Sequence, residues 1–118
     1  MQFMMWQKSN EQSESGAPPD PEMMARMGKL MEDTAKAGVM LSTGGMHPSA
    51  KSAHIRCSGG KFTLTDGPFA ETKELIAGYA IIQVKSRAEA IEWCKRFYEI
   101  QGDGEGYIQQ LHEMSDFA

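Results

Sequence analysis

The segment Gly78-Tyr79-Ala80-Ile81-Ile82-Gln83-Val84 alternates like a β-strand, yet both of its faces are largely apolar. Tyr79, Ile81 and Gln83 fall on one side, and Ala80, Ile82 and Val84 on the other. A strand with this pattern belongs inside a sheet that is covered on both surfaces. Residues 1–6 repeat it, with Phe3 and Met5 pointing one way and Met4 and Trp6 the other. Any fold of this chain must supply apolar cover to two sides of at least two strands.

Two helices can supply one of those sides. Asp20-Pro21-Glu22 is a helix start: Asp20 caps, Pro21 suits the first helical position, and Glu22 favours the positive end of the dipole. Met23, Met27, Leu30, Met31 and Thr34 then form a helical stripe, with Lys36 in the last turn and Gly38 as the stop. Ser86 and Glu89 form a capping box ahead of a second stripe, Ala90, Ile91, Cys94, Phe97 and Tyr98, which ends at Gly102-Asp103-Gly104. Between the helices, residues 39–43 read as a strand that breaks at Gly44-Gly45. Residues 53–65 read as a hairpin turning at Ser58-Gly59-Gly60, and residues 106–112 supply a last strand.

The order β-α-β-β-β-α-β suits an α+β fold, a ferredoxin-like sheet with two helices on one face. Residues 1–118 then form a single domain, with residues 8–20 as a flexible β-α loop because they are polar and rich in Ser, Gly and Pro. That loop is either a lid or disordered. The sheet's other face stays apolar and needs a partner, and a homodimer through the open sheet face is the simplest one.

Composition narrows the functional classes. A chain of 118 residues with a net charge of −4 lacks the basic patch expected of a nucleic-acid binder. No apolar run is long enough to span a membrane, and the N-terminus lacks the basic start of a signal peptide, so a cytoplasmic protein is expected. Cys57 and Cys94 read as reduced, buried thiols. No Cys or His pair has metal-ligand spacing, and no Ser-His-Asp, P-loop or Rossmann pattern appears, so neither metal nor cofactor is expected.

The residue group that stands out is Asp66-Gly67-Pro68-Phe69-Ala70-Glu71-Thr72-Lys73-Glu74. Its first three residues make a turn: Asp accepts backbone hydrogen bonds, Gly permits unusual conformations, and Pro stops the strand. Together with Thr65 and Gly78-Tyr79, the stretch closely resembles the signature of the DGPF family of YCII-related proteins. The Pro-Glu-Met-Met helix start, the Ala37-Gly38-Val39 exit and the capping-box helix resemble that family too. The resemblance implies a dimeric α+β barrel. The superfamily includes small-molecule monooxygenases, isomerases and haem proteins, and a related branch has been proposed to use a His-Asp pair in a cleft. Some members stand beside extracytoplasmic-function sigma factors. Fold alone names no function.

For catalysis the candidates are Asp66, as acid or base, and His47, as its partner from the loop Gly44-Gly45-Met46-His47-Pro48. The competing structural roles are a turn cap for Asp66 and an ordinary loop position for His47. Gly67, Pro68, Phe69, Glu71, Thr72 and Lys73 are the candidate ligand-binding residues. Lys73 either meets an anionic ligand or pairs with Glu71 or Glu74. His54 and His112 read as ordinary residues of the strands.

Two functions remain. In one, the homodimer binds or transforms a small organic molecule in a pocket. In the other, the chain is a non-catalytic regulatory or interaction module associated with a sigma factor. A pocket beside Asp66 and Thr72 favours the first, and a large exposed apolar patch favours the second.

Overall fold

The computed structural model describes residues 1–117, with the side chain of Lys73 outside the described set. In chain order the elements are β1 (Gln2–Lys8), α1 (Glu11–Glu14), α2 (Pro21–Lys36), β2 (Met40–Gly45), β3 (Ala53–Ser58), β4 (Lys61–Asp66), β5 (Ile76–Gln83), α3 (Arg87–Gln101) and β6 (Gly106–Gln110). Short 3₁₀ turns lie at Ser49–Lys51, Thr72–Glu74 and Met114–Phe117.

Four strands form one sheet in the order β2-β5-β1-β6, and every neighbouring pair is antiparallel. This is the ferredoxin-like α+β arrangement that the element order implies. Phe3 lies opposite Ile82 in register, and both are buried with Val39, Val84 and Ala90. Met5, Met40, Trp93 and Ile108 pack around them, so the helices cover the Phe3/Met5/Ile82 face. The helices also hold each other: Arg96 meets Asp33 at 2.5 Å, and an Arg26 guanidinium N–H donates to the Glu99 carbonyl at 3.3 Å.

The caps act largely as the sequence indicates. Asp20 accepts from the Glu22 N–H, Pro21 opens α2, and Gly38 leaves it at φ 67°. Ser86 accepts from the Glu89 N–H, but the Glu89 carboxylate reaches the Lys85 N–H, one residue ahead of the cap. Trp93, absent from the expected stripe of α3, packs on the core because it lies three residues after the fully buried Ala90 on the same helical face.

Two expectations need correction. β2 does not break at Gly44-Gly45; it pairs through them with Tyr79 and Gly78. The Tyr79 ring lies over Gly44, where an added Cβ would be 3.0 Å from Cε1, so the glycine makes room for an aromatic ring rather than ending the strand. Cys57 is exposed, and only Cys94 is partly buried. Residues 8–20 contain the one-turn helix α1, whose Asn10 and Ser13 cap each other reciprocally, at 2.9 and 2.8 Å.

On the sheet's second face, Trp6 sits between Tyr79 and Tyr107 in register, and its ring stacks on Tyr107 at 5.5 Å. Met4 and Ile81 form the next row. Lys8 Nζ lies 5.3 Å from the Tyr107 ring. Among the described residues, β3 and β4 pair only with each other, outside the main sheet. The whole chain is a thin plate, 46 × 45 × 18 Å.

Candidate functional site

The motif begins where β4 ends. Gly67 donates its N–H to the Ser52 carbonyl at 2.9 Å and lies against the backbone of the Ser49–Lys51 turn. An added Cβ at Gly67 would come within 1.8 Å of the Ser49 carbonyl oxygen, so only glycine fits. The Gly67–Pro68 peptide is cis.

Ser49 is the hub of this arrangement and is 2% exposed. Its Oγ accepts the Phe69 N–H at 2.9 Å and donates to Glu14 Oε2 at 2.5 Å. Its backbone N–H donates to Glu14 Oε1 at 2.8 Å. One carboxylate from α1 therefore receives two bonds from Ser49, and the Ser49 hydroxyl in turn fixes the backbone just past Pro68. Charge-assisted bonds of this kind are short and strong, and each end of the network is satisfied. The end of β1 anchors the same region, because Ser9 donates its N–H to the Leu75 carbonyl at 2.9 Å and its hydroxyl contacts Ser13 Oγ at 2.8 Å.

Asp66 thus has a different position from the one its turn chemistry suggests. Its side chain is exposed and, among the described residues, makes no hydrogen bond or ion pair. The turn that Asp66 could have capped is held instead by Ser49, Ser52 and Glu14. His47 is exposed in the loop after β2, two residues before Ser49, and no hydrogen bond joins it to Asp66 among the described residues. The chain brings the two loops together through the backbone of Ser49 and Gly67, not through the two candidate side chains.

Pro68 is exposed and Phe69 half-buried. Glu71 precedes the Thr72–Glu74 turn, in which the Glu74 N–H donates to the Glu71 carbonyl at 3.2 Å and the Leu75 N–H to the Thr72 carbonyl at 3.0 Å. Thr72 is half-buried, and the side chain of Lys73 lies outside the described residues. His54 and His112 are exposed, the latter 3.5 Å from Asp116.

Sequence reasoning missed Glu14 and Ser49. Ser49 follows a Pro and begins a single turn, and Glu14 sits in a polar segment. Neither carries a signature until the fold places them together. The one available signal was local: Asn10 followed three residues later by Ser13 is a helix-start pattern that orders the segment bearing Glu14.

Two open grooves lie away from the motif. One, of about 430 Å³, runs between α3 and β6 along Ile91, Cys94, Tyr98 and Ile108. Burial raises the Cys94 thiol above its ordinary pKa, which disfavours the thiolate there. The other, of about 240 Å³, lies between α2 and α3 beside Arg26, Lys29 and Arg96. Among the described residues, no motif residue lines either groove. Among the described residues, no cluster of His, Cys, Asp and Glu is arranged to hold a metal ion, and no helix is long and apolar enough to cross a membrane.

Comparison with known proteins agrees with this architecture. An uncharacterized protein of Rhizobium meliloti (strain 1021) is 30% identical over 76 residues, which is 64% of this chain and 61% of that protein. The chain thus matches somewhat under two thirds of the length of that relative. Among solved structures, the chain resembles 5-chloro-2-hydroxyhydroquinone dehydrochlorinase from Burkholderia phenoliruptrix AC1100, in complex with 2,5-dihydroxybenzoquinone. The TM-score is 0.51 over 98% of both chains, with 11% identity, a likeness of fold alone. The sequence model of the YCII-related domain matches residues 1–107, a span that holds all of β1 to β5, the three helices and the whole Ser49-buttressed turn. With that match and the signature turn at its centre, the chain belongs to the YCII-related family.

Proposed function

We propose that this chain binds or transforms a small organic molecule beside the Asp66 turn, as a homodimer formed through the open sheet face. The observation that carries this reading is the division of labour around the turn. Ser49, Ser52 and Glu14 hold its backbone, while the Asp66 carboxylate has no partner among the described residues. A carboxylate carried on a fixed backbone, with free lone pairs, can accept a proton or a hydrogen bond from a ligand. Gly67, Pro68 and Phe69 set its position. Glu71, Thr72 and Lys73, further along the motif, are candidate ligand contacts, and His47 is its candidate partner from the adjoining loop.

The open face supports the dimer. Met4, Trp6, Tyr79, Ile81 and Tyr107 lie together there, and a second sheet laid on them would bury aromatic area at low entropic cost. Neither groove described above reaches the turn, so the pocket beside Asp66 and Thr72 is one that the second chain closes, at the margin of the assembly.

The fold neighbour's ligand supplies a first probe. Calorimetric titration with 2,5-dihydroxybenzoquinone and a panel of hydroxylated aromatics should give saturable binding to the native protein, at least tenfold weaker in Asp66→Asn, about 1.4 kcal/mol. Equal affinity in the two proteins would remove Asp66 from the site. The alternative reading, a non-catalytic interaction module, draws on the exposed apolar face of the β3–β4 hairpin; it expects normal assembly and no binding across the panel.

A further inference from the structure

The single chain has more surface than its mass warrants. A compact domain of 13.1 kDa exposes about 6,400 Å² by the usual mass scaling, whereas this chain exposes 8563 Å². Its radius of gyration is 16.4 Å, against about 13.5 Å for a compact domain of this length. The hairpin contributes to this excess, because every residue from 53 to 66 is exposed. Ile55 pairs with Leu64 and Cys57 with Phe62, so these four share one face, and Ala53 and Asp66 share it at the base. Ile55, Leu64 and Phe62 are 62%, 67% and 71% exposed. The other face carries His54, Arg56, Ser58, Lys61, Thr63 and Thr65. Clean alternation of this kind marks a strand pair with one face meant for cover, and a two-stranded ribbon is marginal without it.

We infer that the hairpin is an arm whose Ile55–Cys57–Phe62–Leu64 face packs on a second copy of this chain, so that each Asp66 turn is walled by the other chain. This rests on the homodimer proposed above and adds the arm to its interface. The area selects the occupant. The hairpin's apolar side chains alone offer a few hundred Å² per chain, below the ~800 Å² per partner of a standard interface. The total excess, about 2,200 Å² per chain, matches an obligate homodimer and needs the arm and the open sheet face together. Because Asp66 lies on the arm's apolar face, the copy that covers Phe62 and Leu64 also borders its carboxylate.

Cys57 reports on the arm directly, because it is exposed in the single chain and sits in the middle of that face. Cys94→Ala leaves it as the only thiol. Sedimentation of that variant should show a dimer, with Cys57 reacting with a thiol reagent at least about tenfold more slowly than in the urea-unfolded chain. In the same background, Phe62→Glu should raise the dimer dissociation constant by about 100-fold and restore fast labelling, without unfolding a sheet to which the hairpin does not belong. A dimer in which Cys57 reacts at the unfolded rate overturns the arm and leaves the homodimer standing. A monomer overturns both.

Discussion

Gly67 sits directly on the carbonyl of Ser49, with room for a hydrogen and for nothing larger. Gly67→Ala would place a methyl group 1.8 Å from that oxygen, so the turn must move or the Ser49–Lys51 segment must yield. We expect a loss of about 3 kcal/mol, near the upper end for overpacking, and a fall in Tm of at least about 10 °C. Urea titration of the two proteins at one protein concentration measures it; a difference within error would mean that the contact relaxes freely.

Glu14 and Ser49 should behave as one unit. Ser49→Ala removes a donor to Glu14 and the acceptor of the Phe69 N–H, at a cost of about 2 kcal/mol. Glu14→Ala removes the acceptor of both Ser49 donors, at a similar cost. A double-mutant cycle should return a coupling of about 1–2 kcal/mol, since the double variant loses the shared bond only once. Strict additivity would show that the two side chains act independently.

Asp66 should show the opposite behaviour. Its carboxylate supports no bond among the described residues, so Asp66→Asn should alter the unfolding free energy of the isolated fold by no more than about 0.5 kcal/mol. The same variant should lose the ligand binding proposed above. A large loss of stability would reveal a structural duty for this side chain and count against its use on a ligand.

The Asp33 carboxylate is held below its ordinary value of 3.8 by the Lys29 ammonium and then by the Arg96 guanidinium. A carboxylate with a lowered folded pKa binds fewer protons folded than unfolded. Its contribution to stability is therefore full above the ordinary value and is lost as the pH falls through the lowered folded value. Asp33→Asn should destabilise the α2–α3 contact modestly at neutral pH, less so at high salt, and the difference should close below pH 3.8. Thermal melts of both proteins between neutral and strongly acidic pH test this; a difference that is flat with pH would assign the effect to packing instead.

The fold was legible because its signals are periodic. Phe3 and Ile82, Ala90, and the caps at Asp20 and Ser86 follow from strand and helix spacing plus a few termination rules. Gly44 misled because a glycine in a strand has two causes, a break or a close neighbour, and only the Tyr79 ring across the strand distinguishes them. The site was legible only in its conspicuous half. Asp66 and Gly67 belong to a dense motif, but the groups that free the Asp66 carboxylate, Ser49 and Glu14, are 17 and 52 residues away from it and gain meaning only through contact. Cys57 was misplaced for a related reason: alternation shows that a face wants cover, not which molecule supplies it.

The hairpin's place in the topology has a wider consequence. β2 and β5 are adjacent antiparallel strands, and the Met46 N–H donates to the Ala77 carbonyl at the end where they would be joined by a short turn. Everything from 47 to 75, including the hairpin, the Ser49 hub and the signature, is an elaboration of that one connection. Scaffold and signature are thus separable modules. The sheet closes without strands from the insert, so change at its exposed positions, such as Asp66, can redirect chemistry at little cost to the framework, whereas the Ser49 and Gly67 contacts must be kept. A chain of the same fold that lacked the insert would keep its strand order and lose Asp66, its whole turn and His47, leaving Glu14 without its Ser49 partner.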